Sequence, residues 1–170
     1  MNYKVIEPKD LNGNVFEQIG SKWMLITAVK DGKANTMTAS WGGMGIMWNK
    51  PVNFCVIRPV RYTYEFVEAN DYYTLSFFPE KYRPALNLLG VKSGRDGDKI
   101  AESKLTLFDT DNDTVSFKEA EIIMVCKKLY YQDISPETFI DTSLDKLYPK
   151  KDYHRMYFGE IVKCMISEQV

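Results

Sequence analysis

The chain has 170 residues, of which 45% are hydrophobic and 26% are charged, and this size and composition predict a globular domain with a real core and exclude an intrinsically disordered chain. Its 22 basic and 23 acidic side chains nearly cancel, which disfavours a nucleic-acid partner because phosphate binding normally leaves a basic excess. No apolar run approaches the ~20 residues that span a bilayer, and the start MNYKVIEPKD lacks a secretion-signal pattern, so we expect a cytoplasmic protein without a membrane partner.

Strand patterns dominate the chain. Residues 23–29 are apolar except for Thr27, and a turn signal at residues 31–33 connects them to a second strand at residues 35–40, which predicts a hairpin. Further strand candidates are rich in β-branched and aromatic residues; they are 52–58, 73–78, 120–131 and 155–166. Many short strands without alternating helices favour a barrel over a doubly wound sheet.

Helical patterns interrupt the strands at three places. Residues 61–69 and 80–89 have apolar side chains at spacings of three and four, and Gly90 is predicted to cap the second helix. A third helix over residues 135–147 is indicated by Pro136, which would occupy the first helical position. No linker divides the chain, so residues 1–170 are predicted to form a single, mainly β domain with a few short peripheral helices.

The three cysteines are widely spaced in apolar segments. Cys55, Cys126 and Cys164 form no CxxC pair, and the chain has one histidine. A thiol nucleophile or a metal site needs clustered cysteine and histidine. We therefore predict buried free thiols and no metal site.

Residues 35–51 (NTMTASWGGMGIMWNKP) combine hydroxyls, glycines and two tryptophans directly after a predicted strand. Such a mixture suits a planar ligand with polar edges, because glycine permits close backbone approach and tryptophan offers a flat apolar surface. The alternative is a barrel turn with core aromatics. The glycines do not form GxGxxG, so a Rossmann nucleotide site is not supported.

Residues 58–63 (RPVRYT) place two arginines and a hydroxyl at a predicted helix start. Guanidinium groups beside free helix N–H groups are suited to phosphate. The alternative is a pair of solvated surface arginines.

Two further polar segments are weaker candidates. Residues 92–99 (KSGRDGDK) form a charged, glycine-containing loop, which is either a ligand contact or a solvated connection. Residues 152–155 (DYHR) contain the only histidine, just before a strand. This histidine is either structural or, as its reference pKa permits, a switch or a proton donor.

Taken in order, the segments NTMTASWGGMGIMWNKPV, RPVRYTYEF, SGRDGDK and DYHRMYFGEIV resemble the flavin reductase-like family, and within it the flavoredoxin-like members. The resemblance extends from about Trp23 to Val162. It implies an FMN-binding split β-barrel, usually a homodimer with flavin near the subunit interface. The strand-rich pattern agrees with that fold.

The resemblance also implies cofactor-binding residues, position by position. The segment bordering the flavin ring is matched by Thr38, Ala39, Ser40 and Trp41. The phosphate-side segment is matched by Arg58, Arg61, Tyr62 and Thr63. Positions able to reach the flavin are matched by Lys99 and His154. Because the flavin itself does the redox chemistry, no catalytic side chain is implied, and His154 is a candidate only.

The implied activity is that of an enzyme, an NAD(P)H-dependent flavin reductase with FMN as cofactor and NAD(P)H as substrate. One alternative is a flavoredoxin-type electron-transfer protein, with tightly bound FMN that a redox partner protein reduces. Another is a split-barrel dimer that binds a ligand without catalysis. Neither the electron donor nor the final acceptor follows from the sequence.

Overall fold

A computed structural model describes residues 2–168 of the chain. In chain order its main elements are β1 (Tyr3–Ile6), β2 (Met24–Lys30), β3 (Lys33–Ala39), β4 (Gly42–Met47), β5 (Lys50–Ile57), α1 (Tyr62–Ala69), β6 (Tyr72–Phe77), α2 (Arg83–Val91), α3 (Lys99–Ser103), β7 (Leu107–Asp109), β8 (Val115–Phe117), β9 (Ile122–Asp133) and β10 (Arg155–Ser167). Short helical turns lie at Pro8–Asp10, Glu17–Ser21, Glu80–Tyr82, Pro136–Thr138 and Thr142–Leu147. Within residues 2–168, no helix is long and apolar enough to cross a membrane.

One antiparallel sheet of eight strands organises the fold. Its order is β3-β2-β6-β9-β10-β5-β4, and β1 pairs with the end of β10. The strand β10 is 13 residues long, so it pairs with β5 through residues 155–160 and with β1 through residues 164–167. The separate hairpin β7-β8 completes a mainly β architecture, as predicted.

Both faces of the sheet are covered by core side chains. On β2, Met24 and Ile26 belong to one buried cluster, while Leu25 between them belongs to the other. The same alternation holds on β9, where Met124 and Val125 face opposite sides. Burial on both faces explains why these strands appear in the sequence as continuous apolar runs instead of alternating patterns.

The predicted helix cap at Gly90 is wrong. The helix α2 continues through Gly90 to Val91. A Cβ atom at Gly90 would lie 3.2 Å from the Cβ atom of Thr38 on β3. The glycine therefore permits close packing of α2 against β3 and does not end the helix.

The predicted helix over residues 135–147 is also wrong. Two short 3₁₀ turns, Pro136–Thr138 and Thr142–Leu147, occupy this segment. Phe139 between them has an extended backbone, and Asp141 caps the second turn by accepting a hydrogen bond from the Ser143 amide at 3.0 Å. These local features interrupt any continuous helix.

The prediction of buried free thiols is confirmed, because all three cysteines are unpaired and buried. Burial raises the pKa of the Cys55 thiol to about 12 and that of Cys164 to about 11. The thiol of Cys126 accepts a hydrogen bond from Asn53 at 3.0 Å within the core. The thiols therefore stay protonated and behave as small core side chains.

Candidate functional site

Two adjoining cavities lie where β3, β5 and α1 meet. The first, the Trp41 cleft, has a volume of about 280 Å³ and is lined by Met37–Trp41, Val56, Arg58, Arg61 and His154. The second, the Lys99 pocket, has a volume of about 120 Å³ and is lined by Val60–Thr63, Val91–Ser93 and Lys99. Arg61 lines both cavities. All ten site residues predicted from the sequence therefore come together here, although their contact with a ligand stays a prediction.

The end of β3 forms one wall of the Trp41 cleft. The hydroxyl of Thr38 donates a hydrogen bond to the carbonyl of Leu86 at 2.5 Å, which fixes β3 against α2. The side chain of Trp41 is 45% exposed, and its ring centre lies 5.2 Å from that of His154. The interpretation of Trp41 and Trp48 as core aromatics is wrong, because Trp48 is also about half exposed.

Arg58, at the end of β5, is already neutralised by a carboxylate. Its guanidinium donates two hydrogen bonds to Asp152, at 2.9 and 3.0 Å, and one to the carbonyl of Leu147 at 3.0 Å. These hydrogen bonds hold the pKa of Asp152 below its usual range. The predicted alternative of a freely solvated arginine pair does not describe Arg58.

Arg61 has no carboxylate partner among residues 2–168. Its guanidinium donates a hydrogen bond of 2.7 Å to the carbonyl of Gly90, near the C-terminal end of α2. Burial and the positive charge of Arg58 lower the pKa of Arg61. Arg61 directly precedes α1, and it lines the Lys99 pocket together with Tyr62 and Thr63, the first two residues of that helix.

Lys99 is the second cation held only by carbonyl groups. It is 3% exposed, and its ammonium donates to the carbonyls of Leu89 at 2.9 Å and Lys92 at 3.0 Å. Burial and the charge of Arg61 lower the pKa of Lys99 to about 8. The C-terminal end of α2 thus holds two cations next to the N-terminal end of α1.

The first residues of α1 are fixed from both sides. Thr63 is buried, and its hydroxyl accepts a hydrogen bond from the side chain of Asn35 on β3 at 2.8 Å. The ring of Tyr62 packs edge-on against Phe66 with a centroid distance of 4.9 Å. The start of the helix therefore has contacts within the protein that hold it in position without a ligand.

His154 faces the Trp41 cleft from the residue before β10. Its Nδ1 atom lies 2.8 Å from the hydroxyl oxygen of Tyr148. Burial and the charge of Arg58 outweigh the opposing charge of Asp152 and lower the pKa of His154 to about 4. The imidazole is therefore neutral at pH 7.

Three contributors to the site were missed from the sequence: Tyr148, Asp152 and the C-terminal carbonyls of α2. Asp152 lies in the DYHR segment, so its proximity to His154 offered a local signal. The α2 carbonyls have no local signal, because tertiary packing brings them to Arg61 and Lys99. Tyr148 contacts the site only through His154, and no pattern in the sequence indicates that contact.

A family model described as "Flavin reductase like domain" matches residues 16–170. The chain belongs to this family. The resemblance noted in the sequence is thereby confirmed. No functionally curated protein sequence matches this flavin reductase-like chain significantly.

Solved structures similar to this flavin reductase-like chain support the same fold. An FMN-binding domain of a flavin reductases-like enzyme from Shewanella baltica OS155 has a TM-score of 0.74 and 17% identity, covering 99% of this chain and 79% of that chain. Flavoredoxin from Methanosarcina acetivorans has a TM-score of 0.69 and 21% identity, with 96% and 77% covered. Flavoredoxin of Desulfovibrio vulgaris (Miyazaki F) has a TM-score of 0.68 and 22% identity, with 86% and 69% covered. At these identities the likeness shows the fold, which is the one expected.

Proposed function

We propose that this flavin reductase-like protein binds FMN, with the phosphate held by the Lys99 pocket and the ring system by the Trp41 cleft. The observation that carries the proposal is the pair Arg61 and Lys99, two cations bonded only to backbone carbonyls. Similar structures include FMN-binding proteins, which supports FMN as the ligand.

The Lys99 pocket fits a phosphate group by charge. Two partly desolvated cations repel each other, and each has its pKa lowered. A dianion between them would remove this repulsion and would add charge-assisted hydrogen bonds of about 1.5–3 kcal/mol each. The N–H groups of Tyr62 and Thr63, in the first turn of α1, add further donors.

The Trp41 cleft fits a flat ring with polar edges. Trp41 offers an apolar face, the backbone of residues 38–40 offers polar groups, and His154 adds one side-chain donor or acceptor. The half-exposed indole leaves one side of the cleft open. A second planar molecule, such as a nicotinamide, could therefore approach a ligand held there.

We propose that the protein is an NAD(P)H-dependent flavin reductase. When bound, FMN supplies hydride and single-electron transfer chemistry. The protein's own residues would bind the phosphate and orient the ring. Since the imidazole of His154 is neutral, the cleft contributes a hydrogen-bonding group there and no charge.

An absorption spectrum followed by anaerobic reduction tests the function. We expect yellow protein that releases FMN and not FAD, and that loses its flavin absorbance in a stopped-flow experiment with NADH or NADPH. Bound FMN that neither nucleotide reduces would favour the electron-transfer function that the flavoredoxin-like structures suggest. Colourless protein that cannot be reconstituted would contradict flavin binding itself.

We further propose a homodimer that works in the cytoplasm. Ile46 and Trp48, on and just after the edge strand β4, are 75% and 51% exposed. The Trp48 ring lies 6.2 Å from Tyr130 and 6.4 Å from Phe158, so the aromatic surface is continuous. A contiguous exposed apolar patch is typical of a subunit contact. Three free thiols fit a reducing compartment.

A further inference from the structure

The contact between His154 and Tyr148 determines which ring nitrogen faces the Trp41 cleft. In neutral imidazole one nitrogen carries a hydrogen and the other accepts, so the partner of Nδ1 sets the state of Nε2. Here Nδ1 lies 2.8 Å from the Tyr148 hydroxyl oxygen. Tyr148 is 3% exposed and does not itself line the cleft. Its effect on a ligand would therefore act through His154.

Hydrogen-bond satisfaction decides the direction of this contact. Within residues 2–168 the Tyr148 hydroxyl has no other hydrogen bond. If Nδ1 carried the hydrogen, the phenol would accept it, and its own hydrogen would lack an acceptor in a buried position. If the phenol donates to Nδ1, both groups are satisfied. The hydrogen of the ring then lies on Nε2, which is not among the buried atoms without a partner.

Neighbouring side chains pack around the Tyr148 ring. The Arg58 guanidinium lies 5.0 Å from its centre and is itself fixed by Asp152. On other sides the ring packs against Tyr153 at 4.8 Å and Phe139 at 6.2 Å. Arg58 and Asp152 are the charged groups that act on the imidazole, and their opposing effects together with burial leave it neutral.

We propose that Tyr148 is a positioning residue that holds His154 as the Nε2–H tautomer and so gives the Trp41 cleft a neutral hydrogen-bond donor. The donor would face an acceptor atom at the edge of a planar ligand. The identity of that ligand as a flavin rests on the proposed function, whereas the tautomer is a property of the protein without ligand.

Nitrogen NMR of the single histidine tests the tautomer directly. Because the chain has one histidine, labelling its imidazole with ¹⁵N gives only two signals, and their couplings to the ring Hδ2 and Hε1 protons distinguish Nε2 from Nδ1. At pH 7 we expect Nε2 to resonate as a protonated nitrogen and Nδ1 as an unprotonated one. A wild-type spectrum with protonated Nδ1 would overturn the proposal without any substitution.

Two matched substitutions identify the cause. Tyr148→Phe keeps the ring but removes the hydroxyl, so the two nitrogen signals should move toward each other as both tautomers become populated. Tyr153→Phe removes a hydroxyl from the same aromatic cluster, one bonded to Asp145 at 2.6 Å, and should leave the signals unchanged. An unchanged spectrum for Tyr148→Phe, or an equal shift for both variants, would overturn the role of Tyr148.

Flavin titration tests whether His154 donates a hydrogen bond to a ligand in the Trp41 cleft. Because a ligand can still select the Nε2–H tautomer from the mixture, Tyr148→Phe should weaken FMN and riboflavin equally, by about 2-fold at equal tautomer populations, whereas Tyr153→Phe should not. Unchanged affinity in a variant whose tautomer has shifted would overturn the donor role. If wild type binds no flavin, the proposed function fails, and the NMR spectra still decide the tautomer.

Discussion

At the scale of single residues, the site is defined by how its cations are paired. Arg58 has a carboxylate, whereas Arg61 and Lys99 have carbonyl groups only. Carbonyl dipoles at the end of α2 stabilise the two charges partly, and this leaves a net positive pocket. A ligand phosphate would complete the pairing. Arg61 and Lys99, whose pKa values are lowered in the free protein, are therefore the residues expected to bind it.

Lys99 should make FMN binding depend on pH. Its pKa is lowered from 10.5 to about 8, so in the flavin-free protein the Lys99 ammonium loses its proton and its charge as the pH rises from 7 to 9. Wild type should bind FMN less tightly at pH 9 than at pH 7, while Lys99→Met should bind weakly and equally at both. Isothermal titration measures this, with riboflavin and the exposed-site variant Lys118→Met as controls. Constant wild-type affinity over this range would contradict the assignment.

The lowered pKa of Lys99 also makes the stability of the flavin-free protein depend on pH. Between pH 8 and 10.5 the unfolded chain holds the Lys99 proton more strongly than the folded chain does. Stability therefore rises with pH through this window as far as Lys99 is concerned. The cost of burying the ammonium is present at neutral pH, and it is relieved either by deprotonation or by an anion.

Trp41→Ala should separate binding from folding. Since the indole is 45% exposed, its removal should leave the melting temperature of the flavin-free protein nearly unchanged and should weaken FMN and riboflavin alike. Phe77→Ala, at a buried aromatic on β6, should instead cost about 3–5 kcal/mol. Thermal melting and flavin titration of both variants provide the comparison. A large loss of stability in Trp41→Ala would show that the indole is part of the core.

At the scale of elements, the pairing of β4 with β5 holds Trp41 in place, because β4 begins at the next residue. Gly42 pairs with Cys55 on β5, and a Cβ atom at Gly42 would lie 2.5 Å from the Phe54 carbonyl oxygen. At Gly45, in the same strand, a Cβ atom would meet nothing within 4 Å. The two glycines thus have different tolerance for a methyl group.

Gly42→Ala should therefore destabilise the protein by about 1–3 kcal/mol, as overpacking of a close contact does. The displacement of β4 should also weaken flavin binding. Gly45→Ala should have little effect on either property. Chemical denaturation and flavin titration compare the two variants, and equal effects would show that the start of β4 is not tightly constrained.

At the scale of the whole molecule, the predicted homodimer should depend on the patch at β4. Light scattering should give twice the chain mass of 19.7 kDa for wild type. Ile46→Glu places a charge in the patch and should give the monomer mass. Val91→Glu, at a position that is 90% exposed at the end of α2, should remain a dimer. A wild-type monomer at working concentration would refute the proposal.

The sequence predicted the strands that have strong apolar character and missed those that do not. Residues 52–58 and 120–131 coincide closely with β5 and β9, because burial on both faces gives continuous apolar runs. The strand β4 was missed since Gly42, Gly43 and Gly45 have low β-propensity. At Gly43 the reason is tertiary, because the Phe54 ring occupies the space of a side chain.

The candidate site was predictable only where its residues are close in sequence. Thr38–Trp41 and Arg58–Thr63 each form a local pattern, and the resemblance connected them. Tyr148 lies in a segment without a repeating pattern, and nothing in the residue types between Tyr148 and His154 indicates that their side chains meet. Likewise, the carbonyls that accept hydrogen bonds from Lys99 are backbone atoms, and the residue types that carry them do not indicate this role.

Titration of FMN and riboflavin into flavin-free wild type and Arg61→Ala tests whether Arg61 and Lys99 bind the phosphate of FMN. Riboflavin lacks the phosphate, so Arg61→Ala should weaken FMN by about 10- to 100-fold, at about 1.4 kcal/mol per tenfold, and leave riboflavin nearly unchanged. Arg83→Ala removes a guanidinium that packs over Trp23, away from both cavities, and should change neither affinity. Equal losses of FMN and riboflavin affinity in Arg61→Ala would show that Arg61 does not bind the phosphate.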